Sequence, residues 1–98
     1  MPELEPLIHP PARLQLMTML TAVSESEFLT LREALGVSDS TLSKHISALA
    51  GNGYLASRKG VVAGRRTTWV SLTKSGARAL REHVAALRSL IEAVETAD

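Results

Sequence analysis

The stretch Thr30-Leu-Arg-Glu-Ala-Leu-Gly36-Val37-Ser38-Asp-Ser-Thr-Leu-Ser-Lys-His-Ile-Ser-Ala-Leu-Ala-Gly51 decides how this chain folds. Thr30 is a helix-capping residue type, and Glu33 follows three positions later in a capping-box arrangement. Gly36 then closes a short helix, because glycine takes the left-handed conformation at a C-terminus without penalty. Ser38 caps a second helix, expected from Asp39 to about Gly51. At 100° per residue, Leu42, Ile46 and Leu49 share one side of that helix and must face a core. Two helices joined by a short glycine-containing turn form a helix-turn-helix arrangement over residues 30–51.

The side opposite Leu42 and Ile46 carries Ser40, Ser43, Lys44 and Ser47. These are short hydroxyl side chains and one cation, where an ordinary exposed helix shows long Glu/Lys pairs. Serine also lowers helix propensity. A helix lying in a DNA major groove needs such a face, with close approach, groups that donate or accept, and a cation for guanine or phosphate. A merely polar surface is the alternative at this point.

Downstream, Gly51-Asn-Gly53 stops the helix. Tyr54–Lys59 and Arg66–Leu72 read as two strands with Gly60 and Gly64 between them, a hairpin over residues 54–72 with a loose, basic tip. Arg58 and Lys59 come from the incoming strand, and Arg65 and Arg66 follow Gly64. Arginines at such a tip grip phosphates or enter a minor groove, whereas edge protection would account for fewer of them. Trp69 reads as packing for the hairpin, since base-stacking surfaces interleave several aromatics with cations.

Upstream, residues 1–9 read as an irregular arm. Pro10 and Pro11 open a first helix over residues 10–23, whose apolar residues fall on two sides: Leu14 and Met17 on one, Leu16, Met19, Leu20 and Val23 on the other. Ser24–Glu27 is a polar connector, and Phe28-Leu29 a short edge strand. Thr73 caps a long last helix, residues 73–96. There Ala77, Leu80, Val84, Leu87, Ile91 and Val94 recur at steps of three and four. Packing within the chain is one use of this seam. Pairing two copies through Leu16, Leu20, Leu80, Val84, Leu87, Ile91 and Val94 would explain both the long seam and the first helix's two apolar sides.

The chain has 98 residues, enough for one domain of residues 1–98 with a modest core. Its net charge of +1 conceals an uneven distribution: residues 1–37 sum to −3, residues 38–74 to +5 and residues 75–98 to −1. Positive charge in one segment of a neutral body suits a polyanion partner. No cysteine is present, which excludes disulfides and thiolate metal sites. His9, His45 and His83 are scattered, and Glu82 beside His83 lacks a second histidine at ligand spacing, so no metal or cofactor is expected. No nucleophile–base pair or glycine-rich phosphate cradle is visible, which argues against an enzyme. With no signal-peptide pattern and no run of about 18 apolar residues, the expectation is a cytoplasmic, nucleoid-associated protein without a membrane partner.

The run Val37-Ser-Asp-Ser-Thr-Leu-Ser-Lys-His-Ile-Ser-Ala-Leu-Ala-Gly-Asn-Gly-Tyr-Leu55, with Gly64-Arg-Arg-Thr-Thr-Trp-Val-Ser-Leu-Thr-Lys-Ser-Gly76, resembles compact winged helix-turn-helix regulators of the MarR and ArsR type. The resemblance covers roughly residues 8 to 90. It implies a mainly α fold with a small β-hairpin wing (α+β), and double-stranded DNA as partner. It also implies DNA-contact roles for Ser40, Thr41, Ser43, Lys44, Arg65 and Arg66, and a structural one for His45. The cysteine metal motif of many ArsR-type sensors is absent around Thr30–Leu35, and the chain is shorter than most MarR-type proteins. The resulting expectation is a homodimeric, sequence-specific transcriptional regulator, open to an unknown small-molecule or protein effector. Its DNA contacts are Ser38, Ser40, Thr41, Ser43, Lys44, Ser47, Arg58, Lys59, Arg65 and Arg66. A winged-helix module that binds protein within a larger assembly is the alternative.

Overall fold

The capping signal at Ser38 is realised directly. In the computed structural model, which describes residues 3–97, Ser38 has an extended backbone and its hydroxyl accepts from the Thr41 N–H at 3.2 Å. The chain order is α1 (Pro11–Leu20), β1 (Ser26–Glu27), α2 (Phe28–Leu35), α3 (Asp39–Gly51), β2 (Leu55–Val62), β3 (Arg65–Leu72) and α4 (Lys74–Glu95). This is the expected α+β winged helix, with the helix-turn-helix formed by α2 and α3. Gly36 sits at φ +66 and caps α2 as anticipated, and Leu42, Ile46 and Leu49 point α3 into the core.

The start of α2 differs from the sequence reading. Its N-cap is Glu27 rather than Thr30, and Phe28 and Leu29 are helical rather than strand. The strand lies just before them, at Ser26–Glu27, where it pairs with β3 (Ser26 opposite Val70, Glu27 opposite Trp69). Long-range pairing to β3 therefore sets the helix start, overriding the local capping signal. The helix α1 likewise stops at Leu20, short of the expected residue 23. The Thr21 hydroxyl donates to the Thr18 carbonyl at 2.6 Å beside the C-cap, and Val23 lies beyond it on the surface.

The hairpin is longer and tighter than expected. Strands β2 and β3 pair antiparallel from Leu55 opposite Leu72 out to Val62 opposite Arg65. Only Ala63 and Gly64 turn the chain, both at positive φ (50 and 76), as a type I′ turn requires. The sheet order is β1-β3-β2. Gly60 lies within β2, where a Cβ would come 2.9 Å from Trp69 Nε1. Its missing side chain gives the indole its space.

The core joins Leu16, Met17 and Leu20 of α1 to Leu31, Leu42, Leu49, Leu55, Val70 and Leu80. The arm before α1 is ordered against this body. Ile8 is fully buried, and the Ile8 and His9 N–H groups both donate to the Glu5 carbonyl. The Glu5 N–H donates to Nδ1 of buried His83 at 2.9 Å, and the Tyr54 hydroxyl donates to the Glu5 carboxylate at 2.9 Å. Thr73 caps α4 by accepting from the Gly76 N–H at 2.9 Å while donating to the Gly53 carbonyl.

The predicted pairing seam needs correction. Leu16, Leu20 and Leu80 are buried in the chain's own core, because α1 packs against α4, α2 and β3 of the same molecule. The two apolar sides of α1 therefore require no partner chain. Val84 packs partly against the core and Leu87 is half-buried. The outer seam is different: Leu90, Ile91 and Val94 are 51%, 54% and 76% exposed. These last turns of α4 project from an elongated body of 59 × 25 × 21 Å.

Candidate nucleic-acid interface

The helix α3 offers its polar side to solvent. Ser40, Thr41, Ser43, Lys44 and Ser47 are all exposed. Ser38 and Thr41 are partly committed to the helix start, since the Ser38 hydroxyl donates to Thr41 Oγ1 at 3.0 Å and lies 3.3 Å from Ser40 Oγ. Among the described residues, the side chains of Ser43, Lys44 and Ser47 have no intrachain hydrogen bond or ion pair, so their donors and acceptors are free for another molecule. His45 is different. It is half-buried, and its Nδ1 accepts from Arg13 Nε at 3.0 Å. Burial, with the Arg13 charge beside it, lowers its pKa and favours the neutral ring. The contact ties α3 to α1 and is structural.

The orientation of α3 is held from its N-terminus as well. Arg32 of α2 pairs with Asp39 in the first turn of α3 at 3.2 Å. Asp39 there also complements the positive end of the helix. The α2–α3 angle thus rests on an ion pair at the surface and on Leu31 and Leu42 beneath it.

The four wing cations, equivalent on sequence grounds, are divided by the pleat. Alternate residues of a strand face opposite sides. Lys59, Val61, Arg66 and Thr68 share the face of buried Leu55 and Val70, on the side of the helices. Arg58, Arg65 and Trp69 share the outer face, and the register of β1 adds Glu27 to it. On that outer face the cations are engaged. Arg58 donates through Nε to Glu25 at 3.0 Å and through Nη2 to the same carboxylate, with its guanidinium 5.4 Å from the Trp69 ring centroid. Arg65 pairs with Glu27 at 3.8 Å. The Arg58 hydrogen bonds hold the Glu25 carboxyl below its usual range and raise Arg58 in turn.

Lys59 and Arg66 have no ion pair among the described residues. They border a groove of about 690 Å³ between the wing and the α2–α3 corner, floored by Phe28 and Leu29 and edged by Arg32. Arg65, engaged with Glu27, lines the same groove, so the free cations of the wing and one paired cation meet at that corner. Glu25 and Glu27 were absent from the sequence-derived site. Their signal was the alternation Glu-Ser-Glu, which places both carboxylates on one face of an extended segment.

Among the described residues, no group of three His, Cys, Asp or Glu side chains could hold a metal, and no helix is long and apolar enough to cross a membrane. His83, considered with Glu82 on sequence grounds, is buried against the arm, with the His9 ring edge-on at 5.8 Å.

Residues 12–91 match the family model described as a winged helix DNA-binding domain. The chain belongs to the winged helix DNA-binding domain family. An uncharacterized protein of Methanocaldococcus jannaschii is 26% identical over 83 residues, covering 85% of this chain and 90% of that protein. A solved structure described as a transcriptional regulator homologue from Pyrococcus horikoshii superposes with a TM-score of 0.82 at 26% identity, covering 90% of this chain and 87% of that one. A zinc-responsive MarR family member of Lactococcus lactis shares the fold at 20% identity, with a TM-score of 0.62 over 87% of this chain and 58% of that one. DNA binding is thus the general class that the family gives this winged helix protein, in keeping with the transcriptional regulator homologue to which it is similar.

Proposed function

We propose that this winged helix protein regulates transcription as a homodimer that reads a specific double-stranded DNA sequence. Helix α3 enters the major groove, with Ser40, Ser43, Lys44 and Ser47 toward the bases and Ser38 and Thr41 at its leading end. Lys59 and Arg66 of the wing, with Arg58 and Arg65 once released from their carboxylates, hold the minor groove or backbone. The observation that carries this reading is the uncommitted face of Ser43, Lys44 and Ser47, whose side-chain donors and acceptors have no partner among the described residues. The protein then acts at the nucleoid.

Dimerisation is supported by the outer α4 seam. Leu90, Ile91 and Val94 form an apolar stripe beyond the reach of the chain's own core. Pairing there, with Leu87 beneath and Val84 adjoining, would join two recognition helices through one rigid element. Half-sites about 10–10.5 base pairs apart follow if those helices enter successive major grooves on one side of the duplex.

Selection from a random duplex library tests the reading. Enrichment of a two-fold symmetric site is expected, with affinity falling steeply as salt rises through counterion release. Failure to bind any duplex at low salt would overturn it and leave a protein-binding winged helix module as the better account.

A further inference from the structure

The outer face of the wing pairs cations with carboxylates in an order that the DNA-binding reading does not itself require. Glu25 engages two nitrogens of Arg58, and Glu27 lies on the same face within ion-pair range of Arg65. Glu27 occupies the N-cap of α2, yet its side chain makes no capping bond there. Its side chain is 17% exposed and that of Glu25 is 30% exposed, while the side chains of Arg58 and Arg65 remain 58% and 60% exposed. The acidic side chains are thus the more sheltered partners, and the arginines remain open to an incoming ligand. A carboxylate that meets the guanidinium fork through two bonds presents the geometry that a phosphate presents.

We propose that Glu25 and Glu27 are affinity-setting residues, intramolecular stand-ins for DNA phosphates that occupy Arg58 and Arg65 until a duplex displaces them. The inference rests on the DNA-binding reading and adds to it a penalty built into the wing. Each arginine exchanges one anion for another, and the released carboxylate then faces the phosphate backbone. The exchange costs affinity twice, once in the broken pair and once in repulsion. It also flattens the salt dependence, because an arginine already neutralised by a carboxylate contributes less to counterion release. The ion pairs are exposed enough to be broken at modest cost. Arg58 remains oriented by Trp69, and Gly60 leaves the indole room to lie beneath it.

Binding of Glu25→Gln, Glu27→Gln and the double variant to a generic duplex tests this, measured by fluorescence anisotropy between low and moderate salt. The double variant should bind about 3- to 10-fold more tightly, with the slope of log K against log salt steeper by about one. Glu33→Gln, the same charge change as Glu25→Gln but on the exposed face of α2, should do distinctly less than Glu25→Gln. In an Arg58→Ala background, Glu25→Gln should lose most of its effect. Equal behaviour of Glu25→Gln and Glu33→Gln would overturn the inference, as would weaker binding, which would mean that Glu25 positions Arg58 for DNA. Absence of binding by the wild type and all variants would instead remove the DNA-binding reading.

Discussion

Gly76 lies so close beneath Tyr54 that a Cβ at position 76 would stand 2.1 Å from the Tyr54 carbonyl oxygen. That contact joins the first turn of α4 to the start of the wing, and Thr73 secures it by bonding to the Gly53 carbonyl and receiving the Gly76 N–H. Backbone cannot yield as a flexible side chain can. Gly76→Ala should therefore destabilise the protein by about 3 kcal/mol. At about 4–8 °C per kcal/mol for a domain of this size, its thermal midpoint by circular dichroism should fall by at least about 10 °C. An unchanged midpoint would mean that α4 does not pack here as described.

His83 accepts the Glu5 N–H through Nδ1, and its Nε2 is buried without a partner among the described residues. Burial is the main cause that lowers its pKa, with His9 adding to it and Glu5 opposing. The unfolded chain, with a histidine pKa near about 6.5, binds the proton first. Stability is therefore fully present above that value and declines as pH falls below it. The urea midpoint should drop on going from about pH 7.5 to about pH 5.5. The drop should be shallower in His83→Asn, whose amide oxygen retains an acceptor toward Glu5 without titrating. Part of the dependence should persist through His45, whose pKa is lowered as well. A His83→Asn profile parallel to wild type would remove His83 from the account.

Contacts from α3 and from the wing should separate in binding data. Ser43→Ala and Lys44→Ala should change which duplex is preferred, by about 1–3 kcal/mol at the base each contacts. Lys59→Ala and Arg66→Ala should weaken binding to every duplex alike and reduce the salt slope by about one each. Reversed behaviour of the two pairs, seen in parallel titrations of selected and scrambled duplexes, would reverse the assignment of α3 and wing.

Association should depend on the outer part of α4 alone. Ile91→Glu places a charge on a side chain that is 54% exposed in the single chain, so the fold should survive while sedimentation equilibrium reports monomers. An undiminished dimer mass would refute pairing through this seam.

The sequence exposed the helix-turn-helix well because its signals are local. Ser38, Gly36 and the spacing of Leu42, Ile46 and Leu49 act within a few residues, and α3 begins and ends where they indicate. The start of α2 and the roles of the wing cations were not legible, because both depend on register between distant strands. Reading Gly60–Arg65 as a loop left the parity of Arg58, Lys59, Arg65 and Arg66 undefined. The two-residue turn at Ala63-Gly64 fixes it and sends Arg58 and Arg65 to Glu25 and Glu27. The seam on α4 was overextended for a related reason. Periodicity identifies an apolar stripe but not where one partner surface ends and another begins, and at Leu80 the partner is the chain's own core.

That Leu16, Leu20 and Leu80 close a core within one chain carries a consequence for control. If two copies pair through the outer seam of α4, as proposed, each would bring a core already closed, and dilution would separate them without denaturing either. A regulator assembled in this way would respond to its own abundance: near the threshold for pairing, a small change in gene dosage would produce a disproportionate change in promoter occupancy, while the dissociated chains remained intact for reuse.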